Sequence, residues 1–287
     1  MVLSQVMVTG LVFPESPRWH DGRLWFSDMH GQRIMTAALD GSTQIVAELD
    51  DRPSGLGFLP GGIPLAVLMA HKQLVKILDS GLEIHADLTH IPCSYLNDMV
   101  VDRHGTAYVD CVFHRGPDDA TDMGDCIAIV RAEGTVAIAG VGDLIGPNGL
   151  ALSPDGGSLV VAEPRARRVS KFAITSNGRL DDRRTFAQGE AIQADGLCLD
   201  AEGAVWIGAI RSGRFLRVAE GGQVLETVNV GDKWAIACVL GGPDRRTLYM
   251  TTARVPGDPV GGLTGNLNQS LGFIEIATVG VPGAGTP

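Results

Sequence analysis

Short apolar segments alternate with turns rich in Asp and Gly along most of the chain. The stretch GPNGLALSPDGGSLVVAE, which begins at Gly146, is typical: a polar loop precedes an apolar run, SPDGG forms a turn, and a second apolar run ends in an acid. Short apolar runs bounded by such residues predict β-strands joined by tight turns. The chain has 38 Gly among 287 residues, nearly twice the usual share of about 7%, which also favours short strands over long helices.

The pattern of polar residue, turn and apolar strand occurs six times, at spacings of 39 to 51 residues. The copies start at Glu15, Ser54, Asn97, Asn148, Asp195 and Ala237. A further strand-like segment follows in each, such as RIMTAAL, CIAIVRAEG or GFIEIA. Several strands per period of 40 to 50 residues predict an all-β fold, a six-bladed β-propeller. A parallel α/β fold would need crossover helices of ten or more residues, and a sandwich would not repeat its sequence six times.

The segment SQVMVTGL, Ser4 to Leu11, is apolar but has no turn motif before it. We expect it to add a strand to the last blade and so to close the ring. The prediction is one propeller domain over residues 1–287.

Charge and composition narrow the function. A formal net charge of −10 and a pI of about 5.1 argue against a nucleic-acid surface, which would be basic. The basic cluster Arg165–Arg168 is interpreted as a solvated loop. No signal peptide and no apolar run of about 18 residues is found, so we expect a cytoplasmic protein without membrane contact. The scattered cysteines predict buried thiols in a reducing compartment rather than disulfides: Cys93, Cys111, Cys126, Cys198 and Cys238.

In a propeller, equivalent repeat positions lie at the same height around the central channel. The six repeat starts should therefore form a ring at one mouth, and Glu15, Asn97, Asn148 and Asp195 bring oxygen-bearing side chains to it. Two carboxylates at close range repel each other unless a cation lies between them. All-oxygen ligands suit Ca²⁺ first, with Mg²⁺, Mn²⁺ or Zn²⁺ as alternatives. Asn and Asp can also serve only as turn formers, but four acid or amide residues at equivalent positions favour a metal site.

The motifs FPESPRW around Glu15, LNDMVVDRHG from Leu96, GPNGLALSPDG from Gly146 and ADGLCLDAEG from Ala194 resemble the family of senescence marker protein (regucalcin), gluconolactonase and their bacterial relatives. The resemblance runs from about Leu11 to Ile276. It implies a six-bladed propeller with a divalent metal in the channel, and an activity that hydrolyses lactones. It places the metal ligands on Glu15, Asn148 and Asp195, and a polar residue near metal and substrate on Asn97.

One position departs from the sugar-lactone members, which often carry an arginine two residues before the asparagine that matches Asn97. Here that residue is Tyr95. A tyrosine offers an apolar face and one hydroxyl in place of a guanidinium fork. The substitution predicts a lactone that is less polar than gluconolactone or that carries an aromatic group, unless Tyr95 only packs against the neighbouring blade.

These inferences predict a metal-polarised lactone carbonyl attacked by an activated water. Asp195 is predicted to be both ligand and general base and Asn97 a second catalytic residue, while Tyr95, Asn97 and His114 are predicted to contact a small-molecule substrate. Asp98 is a fallback base, although strand alternation should point it away from the axis. His30 and His71 are weaker candidates for substrate contact.

The loop from His114 to Asp125 lies in the longest gap between repeats and could cover the channel mouth. Its acids do not match the spacing of an EF-hand, so we interpret it as a solvated loop.

Two other functions stay open at this point. The same site could run an isomerisation, dehydration or lyase-type reaction on a small carbonyl compound, because a fold does not determine a reaction. The propeller could also bind calcium without catalysis. The substrate, the native metal and the oligomeric state do not follow from these patterns.

Overall fold

The computed structural model describes residues 2–113, 124–139, 143–210, 212–257 and 266–285. Within them the regular secondary structure is β-strand, apart from three single-turn 3₁₀ helices at Met29–Gly31, Pro164–Ala166 and Leu267–Gln269. The strands form six antiparallel blades arranged in a ring, as the repeats predict.

The chain begins with β1 (Val2–Leu3) and β2 (Gln5–Leu11). Blade 1 consists of β3 (Pro14–His20), β4 (Arg23–Asp28), β5 (Arg33–Ala37) and β6 (Thr43–Glu48). Blade 2 consists of β7 (Pro53–Phe58), β8 (Pro64–Leu68), β9 (Gln73–Leu78) and β10 (Gly81–Asp87). Blade 3 consists of β11 (Tyr95–Val101), β12 (Ala107–Val112), β13 (Cys126–Val130) and β14 (Val136–Ile138).

Blade 4 consists of β15 (Leu150–Leu152), β16 (Ser158–Glu163), β17 (Arg168–Ile174) and β18 (Leu180–Gln188). Blade 5 consists of β19 (Ala194–Leu199), β20 (Val205–Ala209), β21 (Arg214–Val218) and β22 (Val224–Asn229). Blade 6 consists of β23 (Trp234–Gly241), β24 (Thr247–Arg254), β25 (Leu271–Thr278) and, from the other end of the chain, β2.

The N-terminal segment closes the ring as expected. Strand β2 pairs antiparallel with β25 and becomes the outer strand of the last blade. Strand β1, which the sequence pattern did not predict, pairs parallel with β22 on the outer edge of blade 5. The first eleven residues therefore tie two blades together, and the Ser4 hydroxyl between the two strands donates to Glu275 at 2.7 Å.

One apolar cluster fills each of the six interfaces between blades. Side-chain alternation explains how a single strand serves two interfaces. In β20, Val205 and Ile207 pack toward blade 4 while Trp206 packs toward blade 6. Because both faces are covered, β12 and β20 are apolar and buried almost without interruption.

The first strand of each blade is the innermost. Strands β3, β7, β11, β15, β19 and β23 contact one another in that cyclic order around the channel. The five cysteines are buried and form no disulfide.

Candidate metal centre at one mouth of the channel

The structure brings the four oxygen-bearing repeat residues to the same mouth of the channel. Glu15, Asn97 and Asp195 lie among the first three residues of β3, β11 and β19, and Asn148 lies two residues before β15. The Asn148 amide donates a hydrogen bond to the Asp195 carboxylate. The Ser54 hydroxyl donates to Asn97 Oδ1 at 3.1 Å. Asp195 is buried and the other three acids and amides are half-buried.

The same local distortion occurs in the inner strands at this level. A bulge interrupts the pairing of five of them, for example between Glu15 and Arg18 in β3 and between Leu96 and Met99 in β11. In blade 4 the Asn148 N–H and the Gly149 carbonyl both bond to Ala162. A bulge adds one residue to a strand and re-aims its side chains, and such bulges are common next to functional sites.

The bulge explains why Asp98 does not point away from the axis, as simple alternation predicts. Its carboxylate accepts hydrogen bonds from the Ser16 hydroxyl at 2.9 Å and the Arg18 guanidinium at 2.9 Å, both in blade 1. Blade 2 separates blades 1 and 3, so these contacts join inner strands that are not neighbours. The other Asp98 oxygen accepts from the Leu150 N–H at 3.3 Å. Asp98 is therefore a strut beneath the site, with a carboxylate that accepts from three donors.

Arg18 completes this strut. Its guanidinium also donates to the backbone carbonyls of Leu56 at 3.0 Å and Met99 at 2.6 Å, in blades 2 and 3. A buried ion pair needs such additional hydrogen bonds to offset the cost of desolvation. Through these bonds the pair joins the inner strands of the first four blades.

Glycine allows the inner strands to approach closely here. A Cβ on Gly149 would lie 2.5 Å from the Asp195 carbonyl oxygen, and one on Gly196 would lie 2.2 Å from the Ala237 Cβ. No side chain fits at these distances. In blade 1 the matching residue is Ser16, which adopts φ = 45° directly after Glu15; non-glycine residues rarely adopt this conformation, and it is often found at functional sites.

Two acids at the site resist ionisation. Burial raises the pKa of Glu15 well above its ordinary value, and the nearby Asp195 and Asp98 raise it further. Burial also raises the pKa of Asp110, a residue of β12, well above its ordinary value, with Asp98 adding to the effect. Asp110 Oδ1 accepts from the Asp98 N–H at 2.9 Å, whereas Oδ2 is buried and has no hydrogen-bond partner among the described residues.

The residues fit a hard divalent cation. The Glu15 carboxylate accepts one hydrogen bond, from the adjacent Ser16 N–H at 3.3 Å. The charges of Asp195 and Asp98 raise its pKa more than that of Arg18 lowers it. The bond from the Asn148 amide nitrogen to Asp195 leaves the amide oxygen available as a ligand. A cation between Glu15 and Asp195 would remove the repulsion that raises the pKa of Glu15. Among the described residues no group of three or more His, Cys, Asp and Glu side chains forms a metal cluster, so the amides have to complete the ligand set.

Sequence reasoning missed the apolar wall around this mouth. Its buried residues come from several blades and include Phe13, Met29, Met69 and Trp234, with Tyr95 and Ile210 packed against them. Met29, Met69 and Ile210 each directly follow the second strand of a blade. The second strand of a blade ends at the mouth where the first strand begins. Apolar residues directly after the second strands were therefore the sequence signal for this wall.

The other residues predicted to contact the substrate differ in burial and in their neighbours. Tyr95 is half-buried in this wall, and burial, followed by Asp110, raises the pKa of its phenol. His30 stacks edge-on against Phe13 with ring centroids 5.8 Å apart, and burial lowers its pKa. His71 is exposed, with its ring 4.0 Å from the Asp50 carboxylate. His114 lies outside the described residues, as does most of the loop that follows it.

The basic cluster is only partly a solvated loop. Arg168 donates two hydrogen bonds to the buried carboxylate of Glu163, at 2.8 and 3.0 Å. Arg167 forms a surface ion pair with Glu190. Arg165 is exposed at the channel mouth that carries Asn148.

The fold and this mouth define a six-bladed β-propeller with an all-oxygen acid and amide site on its axis. Residues 13–254 match the model of the SMP-30/gluconolactonase/LRE-like region, and the chain belongs to that family.

Two relatives cover most of the chain. A 6-deoxy-6-sulfogluconolactonase from Pseudomonas putida is 30% identical over 85% of this chain and 84% of its own length. The pentonolactonase XacC from Haloferax volcanii is 24% identical over 98% and 97% of the two chains.

Solved structures share the fold. A luciferin-regenerating enzyme superposes with a TM-score of 0.81 at 19% identity, over 99% of this chain and 97% of the other. Regucalcin from Agrobacterium tumefaciens strain C58, described as a calcium-binding protein, superposes with a TM-score of 0.75 at 20% identity, over 98% of each chain.

Among the described residues no helix is both long enough and apolar enough to cross a membrane.

Proposed function

We propose that the protein is a divalent-metal-dependent lactonase whose site is the Glu15, Asn97, Asn148 and Asp195 mouth. One observation carries the proposal: the Asn148 amide donates to the Asp195 carboxylate, and burial, followed by the nearby Asp195 and Asp98, raises the pKa of Glu15, which comes from a third blade. Membership of the family and relatives named as lactonases support lactone hydrolysis. Calcium is the proposed ion, because of the oxygen ligands and because one structural relative is described as calcium-binding.

Each residue of the site has a separate role in the proposed reaction. Glu15, Asp195 and the Asn148 amide oxygen would hold the cation. A divalent cation held there would polarise the lactone carbonyl and make a neighbouring water easier to deprotonate. The Asp195 carboxylate takes the proton of the attacking water, since Asp98 is engaged with Arg18 and Ser16. The water oxygen adds to the carbonyl carbon, the ring C–O bond breaks, and Asp195 returns the proton to the ring oxygen, which leaves as a hydroxyl.

Asn97 and the surrounding wall position the substrate. The Ser54 hydroxyl donates to Asn97 Oδ1 and holds the Asn97 side chain beside the site. The apolar wall around Phe13 and Trp234 excludes water from the reacting carbonyl and packs against the apolar part of the lactone. The buried Arg18–Asp98 pair braces the inner strands next to this site.

The first experiment measures hydrolysis of a panel of neutral γ- and δ-lactones by pH-stat, after removal of metals and after addition of Ca²⁺, Mg²⁺, Mn²⁺ or Zn²⁺. We expect activity to vanish on chelation and to return with a divalent ion. Glu15→Gln and Asp195→Asn remove one charged ligand each with little change of shape, so both should lower kcat/KM by at least about 100-fold. Isothermal titration with Ca²⁺ should show correspondingly weaker metal binding.

Glu48→Gln is the matched control, because Glu48 is exposed on the outer strand β6. It should keep wild-type metal affinity and activity. Full lactonase activity after complete chelation, or wild-type calcium affinity in both site variants, would refute the proposed site. Metal binding with no hydrolysis of any lactone would instead favour the calcium-binding or non-hydrolytic alternatives.

A further inference from the structure

A cavity of about 580 Å³ lies between blades 3 and 4 beside the candidate metal centre. It is lined by Phe113, Asp125, Asp143, Leu144, Ile145, Arg165 and Arg168. One wall is the segment that leads into Asn148: the Gly146 N–H donates to Asp125 Oδ2 at 2.6 Å. The Phe113 N–H donates to Asp125 Oδ1 at 2.7 Å, so this carboxylate holds the two blades together.

Three of the four charged side chains in the cavity are already engaged. Arg168 pairs with Glu163, Asp143 pairs with Arg183, and Asp125 accepts two backbone N–H bonds. Arg165 is different, because its guanidinium has no hydrogen-bond or ion-pair partner among the described residues. It is therefore the positive group in this cavity that remains available to a ligand.

The backbone holds Arg165 in place. The residue lies in the 3₁₀ turn Pro164–Ala166, whose first residue has a fixed φ. The turn follows Glu163, a fully buried carboxylate that also accepts from the Ser170 hydroxyl and the Ile145 N–H. The stem of Arg165 covers Gly146, where an added Cβ would lie 2.9 Å from the Arg165 Cδ. This packing places the Arg165 stem two residues from Asn148.

Tyr95 lies near both Arg165 of this cavity and Asp195 of the candidate metal centre. Its phenol is close enough to feel the charges of both Arg165 and Asp195, in opposite directions. Tyr95 lies two residues before Asn97 in β11, and Arg165 reaches the same region from blade 4. A guanidinium is thus present beside the site although position 95 itself has none.

We propose that Arg165, with Tyr95 beside it, forms a subsite for an anionic substituent on the lactone. This inference rests on the proposed function. A lactone whose carbonyl lies at the axis would extend a carboxylate, sulfonate or phosphate group into the cavity, where the guanidinium fork matches its oxygens. The net charge of −10 and the acids of the site repel such a substrate elsewhere, so a fixed cation at this place gives selectivity for anion-bearing lactones.

The test compares matched lactones that share one ring and differ in one substituent: hydroxymethyl, carboxylate, sulfonatomethyl or phosphonooxymethyl. In the calcium-loaded protein, Arg165→Gln should lower kcat/KM for the charged lactones by about tenfold or more, and leave the neutral lactone within about twofold. Added NaCl should reduce the wild-type preference, because the guanidinium is exposed. Comparison of the three charged series identifies the preferred anion.

Arg52→Gln is the control, because Arg52 is an exposed arginine at the same mouth near His30. It should leave the ratio between charged and neutral lactones unchanged. An equal effect of Arg165→Gln on charged and neutral lactones, or no effect on either, would overturn the subsite while leaving the lactonase proposal intact.

A binding measurement separates the two proposals if no lactone is hydrolysed. Tetrahydropyran-2-carboxylate carries the anion but no lactone carbonyl, and its binding to the calcium-loaded protein can be followed by ligand-observed NMR. Weaker binding to Arg165→Gln than to Arg52→Gln would support the anion subsite without any reaction. Equal binding to both variants would overturn it.

Discussion

At the scale of single residues, the most informative groups are buried acids that take no part in the proposed reaction. Asp98 is neutralised by Arg18, and its oxygens accept from three donors. Asp110 has no such cation, and one of its oxygens lacks a partner among the described residues. A buried acid without a positive partner is most stable when protonated.

Asp110 should therefore make stability depend on pH. Its pKa is raised in the folded protein, so between its unfolded pKa of about 3.9 and its folded pKa the native state binds more protons than the unfolded state. In that window stability falls as pH rises. We expect urea unfolding of the metal-free protein to show lower stability at pH 8 than at pH 5, and Asp110→Asn to flatten this slope.

Asp155→Asn provides the comparison, because Asp155 is an exposed turn residue at the opposite end of the propeller, with hydrogen bonds that lower its pKa. Its pH profile between 5 and 8 should match that of the wild type. Parallel slopes for the wild type and Asp110→Asn would contradict this account of Asp110.

At the scale of the strand, the recurrent bulge directs the side chains of the site. It lets Asn97 and Asp98, adjacent in sequence, both serve the channel: one faces the mouth and the other braces blades 1 and 4. In blades 4 and 5 the neighbouring inner strands approach so closely that no side chain fits at the matching position. Gly149 and Gly196 occupy it.

Gly149→Ala tests this close approach. The new methyl group would lie 2.5 Å from the Asp195 carbonyl oxygen and 2.7 Å from the Gly196 Cα, so the segment before β15 has to move away from β19. Overpacking of this kind costs about 1–3 kcal/mol. We expect chemical denaturation to show that loss, and calcium titration to show weaker binding because Asn148 is displaced from Asp195.

Gly280→Ala is the matched substitution, since nothing lies within 4 Å of a Cβ added there and its φ is not in the left-handed range. It should change the free energy of unfolding by less than about 0.5 kcal/mol. Equal stability and equal calcium affinity of both variants would show that the inner strands tolerate a wider ring.

At the scale of the whole molecule, stability is distributed over six similar interfaces and one closure. Each blade is covered on both faces by its neighbours, so a break at any interface leaves two apolar faces unprotected. The closure joins strands from opposite ends of the chain, because β2 completes a blade whose other strands are β23 to β25.

Deletion of residues 2–11 should therefore be severe. It removes the buried side chains of Val8 and Leu11 and leaves the edge of β25 unpaired. Burial of each side chain contributes about 1.5–3 kcal/mol. For a chain of this size we expect the melting temperature to fall by roughly 10 °C or more. Deletion of residues 2–3 alone removes only the short β1 and should lower it by a few degrees; equal melting of the two truncations would contradict the closure.

The sequence by itself determined the number of blades, the strand that closes the ring and the mouth at which four polar residues meet. It could do so because residues at equivalent positions of a repeat lie at the same height around the axis. The fold prediction and the family are confirmed, while the roles of Glu15, Asn97, Asn148 and Asp195 stay predictions that the proposed experiments address.

The tertiary structure alone decided which neighbours these residues have. Asp98 was expected to face away from the axis, and only the bulge turns it inward. The Arg18 strut, the orphaned Asp110 oxygen and the Arg165 cavity join residues from different blades at no fixed sequence spacing. A repeat predicts equivalent positions, but contacts between non-equivalent positions depend on how the blades twist and pack, and that is where the site acquires its individual chemistry.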